Sequence, residues 1–246
     1  MKINSIKTGK ITIKKRNISE ILDKYLPKLK EKSVLAITSK IISICDGRVV
    51  KIGEVSKEKL IEKEAEYFLP SQKNKYNIVL TIKNNILIPT AGIDESNGNG
   101  YYILWPEHPQ ENANNIRKYL KKKFSLKNLG VIITDSRTTF GHLGTTGVAL
   151  AYSGFSALNN YKGKPDIFGR KLKVTQVNVA DALAVAAVFV MGEGSEQTPL
   201  AVIEDIPFIK FKSRVSEREI KNFHVPIKDD IYAPLIKSAP WQKGKK

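Results

Sequence analysis

Twice in this chain an apolar run stops at an aspartate and opens a small polar loop. NNILIPTAGIDESN (84–97) delivers Asp94, and NLGVIITDSRTTFGHLGTTG (128–147) delivers Asp135. Such a run reads as a buried strand that carries a carboxylate to the rim of a sheet. Buried strands need cover, which limits the chain to layered folds. Hard cations such as Mg²⁺ take oxygen ligands, often one or two carboxylates together with substrate phosphates, so two such strand ends suggest a metal–nucleotide site. Either aspartate alone is more often a turn cap; the neighbouring motifs turn the reading toward a site.

The order of elements narrows the architecture. Residues 17–32 show helical spacing, with Asn17 or Ser19 as cap, and Pro27 should end or kink that helix. SVLAIT (33–38) reads as a buried strand, after which Thr38, Ser39 and Lys40 open the next element. An amphipathic helix is expected over 56–70, stopped near Pro70. YNIVLTIK and NILIPTAGI form a hairpin at Asn84–Asn85. A strand over 101–106, a basic helix over 111–124 and the strand VIITD follow. Residues 137–155, rich in Gly and Thr, suit a substrate loop. NVADALAVAAVFVMGEG (178–194) is apolar on all sides and reads as a buried helix, ended by Gly192 with Glu193 emerging beyond it. LAVIED (200–205) is expected as the final strand, and the last thirty or so residues show no clear period. Mixed order rather than a βαβ series favours an α+β fold. The whole chain, 1–246, is expected as a single domain, with a core over about 5–210 and a C-terminal extension over 211–246. There is neither a Walker A motif nor G-x-G-x-x-G.

Composition removes several classes of function. No apolar stretch is long enough to span a bilayer, and the N-terminus lacks the apolar core of a secretory signal. The one cysteine, Cys45, permits no internal disulfide and fits a cytoplasmic location. A net charge of +17 raises nucleic acid as a partner. However, the lysines are spread along the chain, dense only at 117–123 and 243–246, and are not interleaved with aromatics, so nucleic acid is disfavoured. An anionic small-molecule substrate accounts for the charge equally well.

Four motifs stand together in order: AITSKIISICDGRVV (36–50), AGIDESN (91–97), VIITDS (131–136) and MGEGSEQTPLAVIED (191–205). With YKGKPDIFGRKLKVTQVNVADALAVAA (161–187) they resemble the F420-0:γ-glutamyl ligase family from about residue 5 to 210. The resemblance implies an enzyme that adds L-glutamate in γ-linkage to a carboxylate-ended cofactor. It implies GTP or ATP as cosubstrate, Mg²⁺ or Mn²⁺ as divalent metal, and K⁺ as a further ion. Carried over by resemblance, Asp94, Asp135, Ser136 and Glu193 form the metal shell, and Asp94, Asp135 and Lys40 are the catalytic set. Thr38, Ser39, Lys40, Asn97 and the run Met191, Gly192, Glu193, Gly194, Ser195, Glu196, Gln197 and Thr198 contact the nucleotide. Two interlocked subdomains and an intertwined homodimer are implied as well.

The substrate loop departs from the family. Where F420 enzymes carry a loop like TDTFGRPWRxGQxDxAIG, this chain has TDSRTTFGHLGTTGVALA; the Trp position is Gly141, an Arg position His142 and a later acidic position Gly147. A histidine cannot reproduce a bidentate Arg fork. Arg137, Thr138, His142 and Thr145 are the candidates for holding the acceptor. With the TDS and MGEG-EQTPL signatures, the loop resembles a divergent branch thought to act as an alternative folylpolyglutamate synthase. The expected acceptor is therefore a tetrahydrofolate, with F420-0 as the alternative. His108 and His224 are expected at the surface.

Overall fold

The computed structural model describes residues 1–13, 17–70 and 75–245. In chain order the elements are β1 (Lys2–Ile6), α1 (Ile18–Tyr25), β2 (Ser33–Thr38), α2 (Ser39–Cys45), β3 (Val49–Lys51), α3 (Lys57–Glu64) and β4 (Tyr67–Phe68). There follow β5 (Leu80–Lys83), β6 (Ile86–Pro89), β7 (Tyr101–Ile103), α4 (Pro109–Phe124), β8 (Leu129–Thr138), β9 (Thr145–Ser153), β10 (Leu158–Asn160) and β11 (Gln176–Asn178). Last come α5 (Val179–Met191), β12 (Leu200–Glu204), α6 (Glu217–Phe223), α7 (Ala233–Ser238) and β13 (Gln242–Lys243). The architecture is mixed α+β, with two main sheets.

The larger sheet runs β1-β12-β2-β8-β9, antiparallel except for the parallel pair β2–β8. Its strands bury side chains on both faces, as period-two alternation requires. Leu35, Ile37, Val131 and Ile133 face Leu22 of α1, Ile41 and Ile42 of α2, and Ile116 and Leu120 of α4. Val34, Ala36, Ile132 and Ile203 face Leu183, Ala184, Ala187 and Met191 of α5. The smaller sheet runs β13-β4-β5-β6. Its β5–β6 hairpin turns at Asn84 and Asn85, both left-handed at φ 52° and 58°, as a type I′ turn needs.

Several expectations are corrected. The helix expected over 56–70 stops at Glu64, because Ala65 is extended and Tyr67–Phe68 pairs with β5. The stretch 137–155 is mostly strand: β9 begins at Thr145, and only the tip between β8 and β9 is loop. The α5 helix is not buried all round. Val185, Phe189 and Val190 lie on an exposed stripe, and Phe189 is 86% exposed. LAVIED is followed by a further strand, β13. The 211–246 stretch carries two helices, and α6 is opened by a capping box between Ser216 and Glu219. The buried Arg117 guanidinium fastens this segment by donating to the carbonyls of Lys212 and Ser213. Residues Ser71 to Asn74, beside the expected stop at Pro70, lie outside the described residues.

Candidate active site

Parallel pairing of β2 and β8 brings the C-terminal ends of both strands to one edge, with Thr38 opposite Thr134. Crevices beyond such strand ends are the usual ligand sites of α/β sheets. The strand directions therefore bring Ser39 and Lys40 out beside Asp135 and Ser136. A bulge sharpens the exit of β8. Ile133 faces Ala151 but Thr134 faces Ala149, so Leu150 is the extra residue. Asp181 of α5 accepts the Ala149 N–H at 2.9 Å and secures the bend.

Asp94 arrives from the other sheet. After β6 the backbone makes a left-handed turn through Thr90, Ala91 and Gly92. It then bridges Ile103, with Ile103 N–H donating to the Asp94 carbonyl at 2.7 Å. Lys40 Nζ lies 2.7 Å from Asp94 Oδ2 and also donates to the carbonyl and hydroxyl of Ser96. Ser96 in turn donates its N–H and O–H to the two Asp94 oxygens. Burial pushes the Asp94 carboxyl up, but Lys40 and Ser96 outweigh it and hold it below the usual carboxylate range.

Asp135 behaves oppositely. Burial pushes its carboxyl up to about 6, against hydrogen bonds from the Trp105 indole and the Ser136 N–H, while the Asp94 charge adds to the rise. The two carboxylates thus feel one another, and both feel Lys40. Trp105, buried at 2% exposure, donates its indole N–H to Asp135 Oδ2.

The loop after α5 closes the rim. Ser136 Oγ donates to Glu193 Oε1, which places that carboxylate beside β8 although it follows a helix C-terminus. Asn97, left-handed at φ 57°, donates to the Gly194 carbonyl at 3.0 Å. Thr198 Oγ1 donates to the Met191 carbonyl, Gly194 N–H donates to Glu196, and the Gln197 carbonyl accepts from Thr8. Thr38, Ser39, Lys40, Asp94, Asn97, Asp135, Ser136 and the 191–198 loop therefore form one neighbourhood, spanning both sheets. Ser195 is exposed on that loop.

The acceptor candidates are less gathered. Arg137 turns toward Asp181, at 3.8 Å. Thr138 and Thr145 form the last cross-strand pair of β8–β9, and His142 sits exposed at the tip. His108 is exposed, as expected. His224 is half-buried edge-on against Phe223 rather than at the surface, and burial pushes its pKa down.

Among the described residues no three Asp, Glu, His or Cys side chains converge into a cage. The oxygen donors present suit a hard cation that keeps water and phosphate ligands: two carboxylates and a hydroxyl, with Glu193 behind the hydroxyl. A half-buried carboxyl with neutral hydrogen-bond partners and a pKa pushed to about 6 is a place that a cation would stabilise. The residues fit a divalent metal on that ground.

Two participants escaped sequence reasoning. Ser96 sits inside the quoted AGIDESN motif, and a serine two residues after an aspartate is a local cue for an Asx-type turn. Trp105 offered no cue beyond being an aromatic at the end of an apolar run.

The sequence profile of one family, described as F420-0:Gamma-glutamyl ligase, matches residues 3–205. A "Coenzyme F420:L-glutamate ligase" from Methanococcus maripaludis is 33% identical over 205 residues, covering 77% of this chain and 82% of that protein. Proteins of the same name from Methanocaldococcus jannaschii and Methanopyrus kandleri are 33% and 31% identical. They cover 80% and 72% of this chain, and 85% and 77% of their own lengths.

Proposed function

The chain belongs to the F420-0:gamma-glutamyl ligase family, and from that premise we propose that it joins L-glutamate to the terminal carboxylate of F420-0. It is an enzyme of the γ-glutamyl ligase class. The names of its relatives favour F420-0 over the tetrahydrofolate expected from the loop, which finds no support among them. The observation that carries the proposal is the meeting of Lys40, Asp94, Asp135 and Ser136 with the 191–198 loop at one sheet edge.

A carboxylate resists attack by an amine. In the proposed reaction an acceptor carboxylate oxygen attacks the γ-phosphorus of GTP or ATP, and the bond to the β-phosphate oxygen breaks to release the diphosphate. The glutamate amine then attacks the acyl phosphate carbon, phosphate leaves, and the amine proton is lost. Catalysis of such transfers is chiefly positioning and charge neutralisation. Asp94, Asp135, Ser136 and Glu193 are the residues to hold Mg²⁺ or Mn²⁺, which when bound would neutralise phosphate charge. Thr38, Ser39, Asn97 and residues 191–198 line the nucleotide. Lys40 lends a point charge, and its flexible stem lets it turn from Asp94 to a phosphate oxygen.

The proposal extends to a homodimer. The exposed apolar stripe of α5 lies on the same chain as exposed Ile167, Phe168, Phe140 and Leu143. Exposed apolar side chains along one helix face, as at Val185 and Phe189, support a protein interface there. Among the described residues no helix is long and apolar enough to cross a membrane, and a cytoplasmic location is proposed with the activity.

The test is a mass-spectrometric assay offering F420-0 and tetrahydrofolate side by side with L-glutamate, GTP or ATP, and Mg²⁺ or Mn²⁺. A glutamyl adduct on F420-0, absent in Asp135→Ala, is expected. An adduct on tetrahydrofolate alone would move the acceptor assignment to the rewritten loop around His142.

A further inference from the structure

Trp105 is held at both its backbone and its ring. Arg48 Nε donates to its carbonyl at 3.2 Å, and the Arg48 guanidinium pairs with Glu64 at 2.7 Å. Glu64 also takes Lys83 Nζ at 2.6 Å, and that ammonium lies 5.5 Å from the indole centroid. On the edge that carries the N–H, the ring lies against Gly92. A Cβ there would fall 2.2 Å from Nε1, so only glycine leaves the indole its place. Gly92 also sits at φ +71°, which favours glycine independently.

The one polar atom of this fixed side chain donates to Asp135 Oδ2. Asp94 is paired by an ammonium on a flexible stem, which can depart. Asp135 is met by a rigid neutral donor that cannot compensate its charge but does fix its rotation. Oδ2 takes the indole N–H, the Ser136 N–H donates to the same carboxylate, and the lone pairs these two leave are the ones open to a ligand. Carboxylates that bind metals are commonly oriented by such outer hydrogen bonds.

We propose that Trp105 is a positioning residue. Its indole N–H, clamped by Gly92 and the Arg48–Glu64–Lys83 cluster, sets which oxygen of Asp135 is offered to a divalent cation. This rests on the reading of Asp94 and Asp135 as metal-binding carboxylates. The ion cluster then acts on the site through Trp105, linking the small sheet to the end of β8.

The test is Mn²⁺ binding, counted from the paramagnetic resonance of the free ion, on the full chain with GTP present and with the Mn²⁺ taken up by the same GTP without protein subtracted. A Trp241→Phe background leaves Trp105 as the sole tryptophan, since the chain has two. In it, Trp105 is compared with Trp105→Phe and with 3-benzothienylalanine at position 105. The latter keeps the bicyclic shape and replaces N–H by sulfur. Both replacements are expected to weaken Mn²⁺ binding roughly 10–100-fold, the usual cost of losing an outer-shell partner. A role limited to packing would be restored by the isostere, so wild-type Mn²⁺ affinity with benzothienylalanine overturns the proposal. If Trp105→Phe fails to fold, the isostere alone decides. No Mn²⁺ binding by the parent protein would instead overturn the metal reading itself, and this proposal with it.

Discussion

Asp94 and Asp135 lie close enough to interact, yet their surroundings push them in opposite directions: Lys40 and Ser96 keep one ionised, and burial favours a proton on the other. The sign of the consequence follows. A carboxyl whose pKa is raised in the folded state contributes stability that is full below its unfolded value and lost as pH rises through about 6. In chelator, Asp135→Asn is therefore expected to gain on the parent protein in thermal stability as pH climbs from about 4 to 6.5, the span set by the ordinary and raised values. A constant difference between the two proteins over that span would contradict the burial of Asp135. Both aspartates were legible because the close of an apolar run is a local signal, although β8 runs on past Asp135 to Thr138 and Asp94 follows a turn after β6; Lys40 was legible through its motif. Trp105 was not. YYILWP states that an indole is buried, but its partner lies thirty residues on, and only the packing of the segment after β7 into the core beneath β8 brings them together.

Among the elements, helices and hairpins with local punctuation were readable: Asn17 caps α1, and Asn84–Asn85 turn the β5–β6 hairpin. The stretch 137–155 was misread as loop, because its Gly and Thr residues carry no apolar alternation until they pair with β8. Gly147 shows why. Its backbone lies so close to α5 that a Cβ would sit 2.5 Å from the Ala184 carbonyl oxygen. The absence of an acidic side chain there is thus imposed by packing between strand and helix, whatever the acceptor. Gly147→Asp is expected to cost about 2 kcal/mol or more through overpacking against backbone. For a chain of this length that is a fall of roughly 4–8 °C in Tm, read by calorimetry. An unchanged Tm would mean that α5 can yield, and the glycine would return to being a matter of acceptor chemistry.

At the scale of the molecule, α5 was read as wholly buried because every face is apolar, and the single chain leaves the Val185–Phe189–Val190 stripe open. The two statements agree if a second copy covers it. Light scattering should then give twice the chain mass of 27.5 kDa, and Phe189→Asp should shift it toward one. A parent protein of single-chain mass at micromolar concentration would exclude the dimer. The pairing of β1 with β12, Lys2 opposite Glu204, has a different kind of consequence. During synthesis the first strand emerges and then waits for the twelfth, roughly 10–40 s at about 5–20 residues per second. For most of that interval β2, apolar along its length, lacks both neighbours, and once β8 has emerged one edge stays open until β12 arrives. Nascent chains of this protein should therefore be held by a ribosome-associated chaperone until residue 204 has left the tunnel, since an apolar strand with a free edge is the usual seed of aggregation.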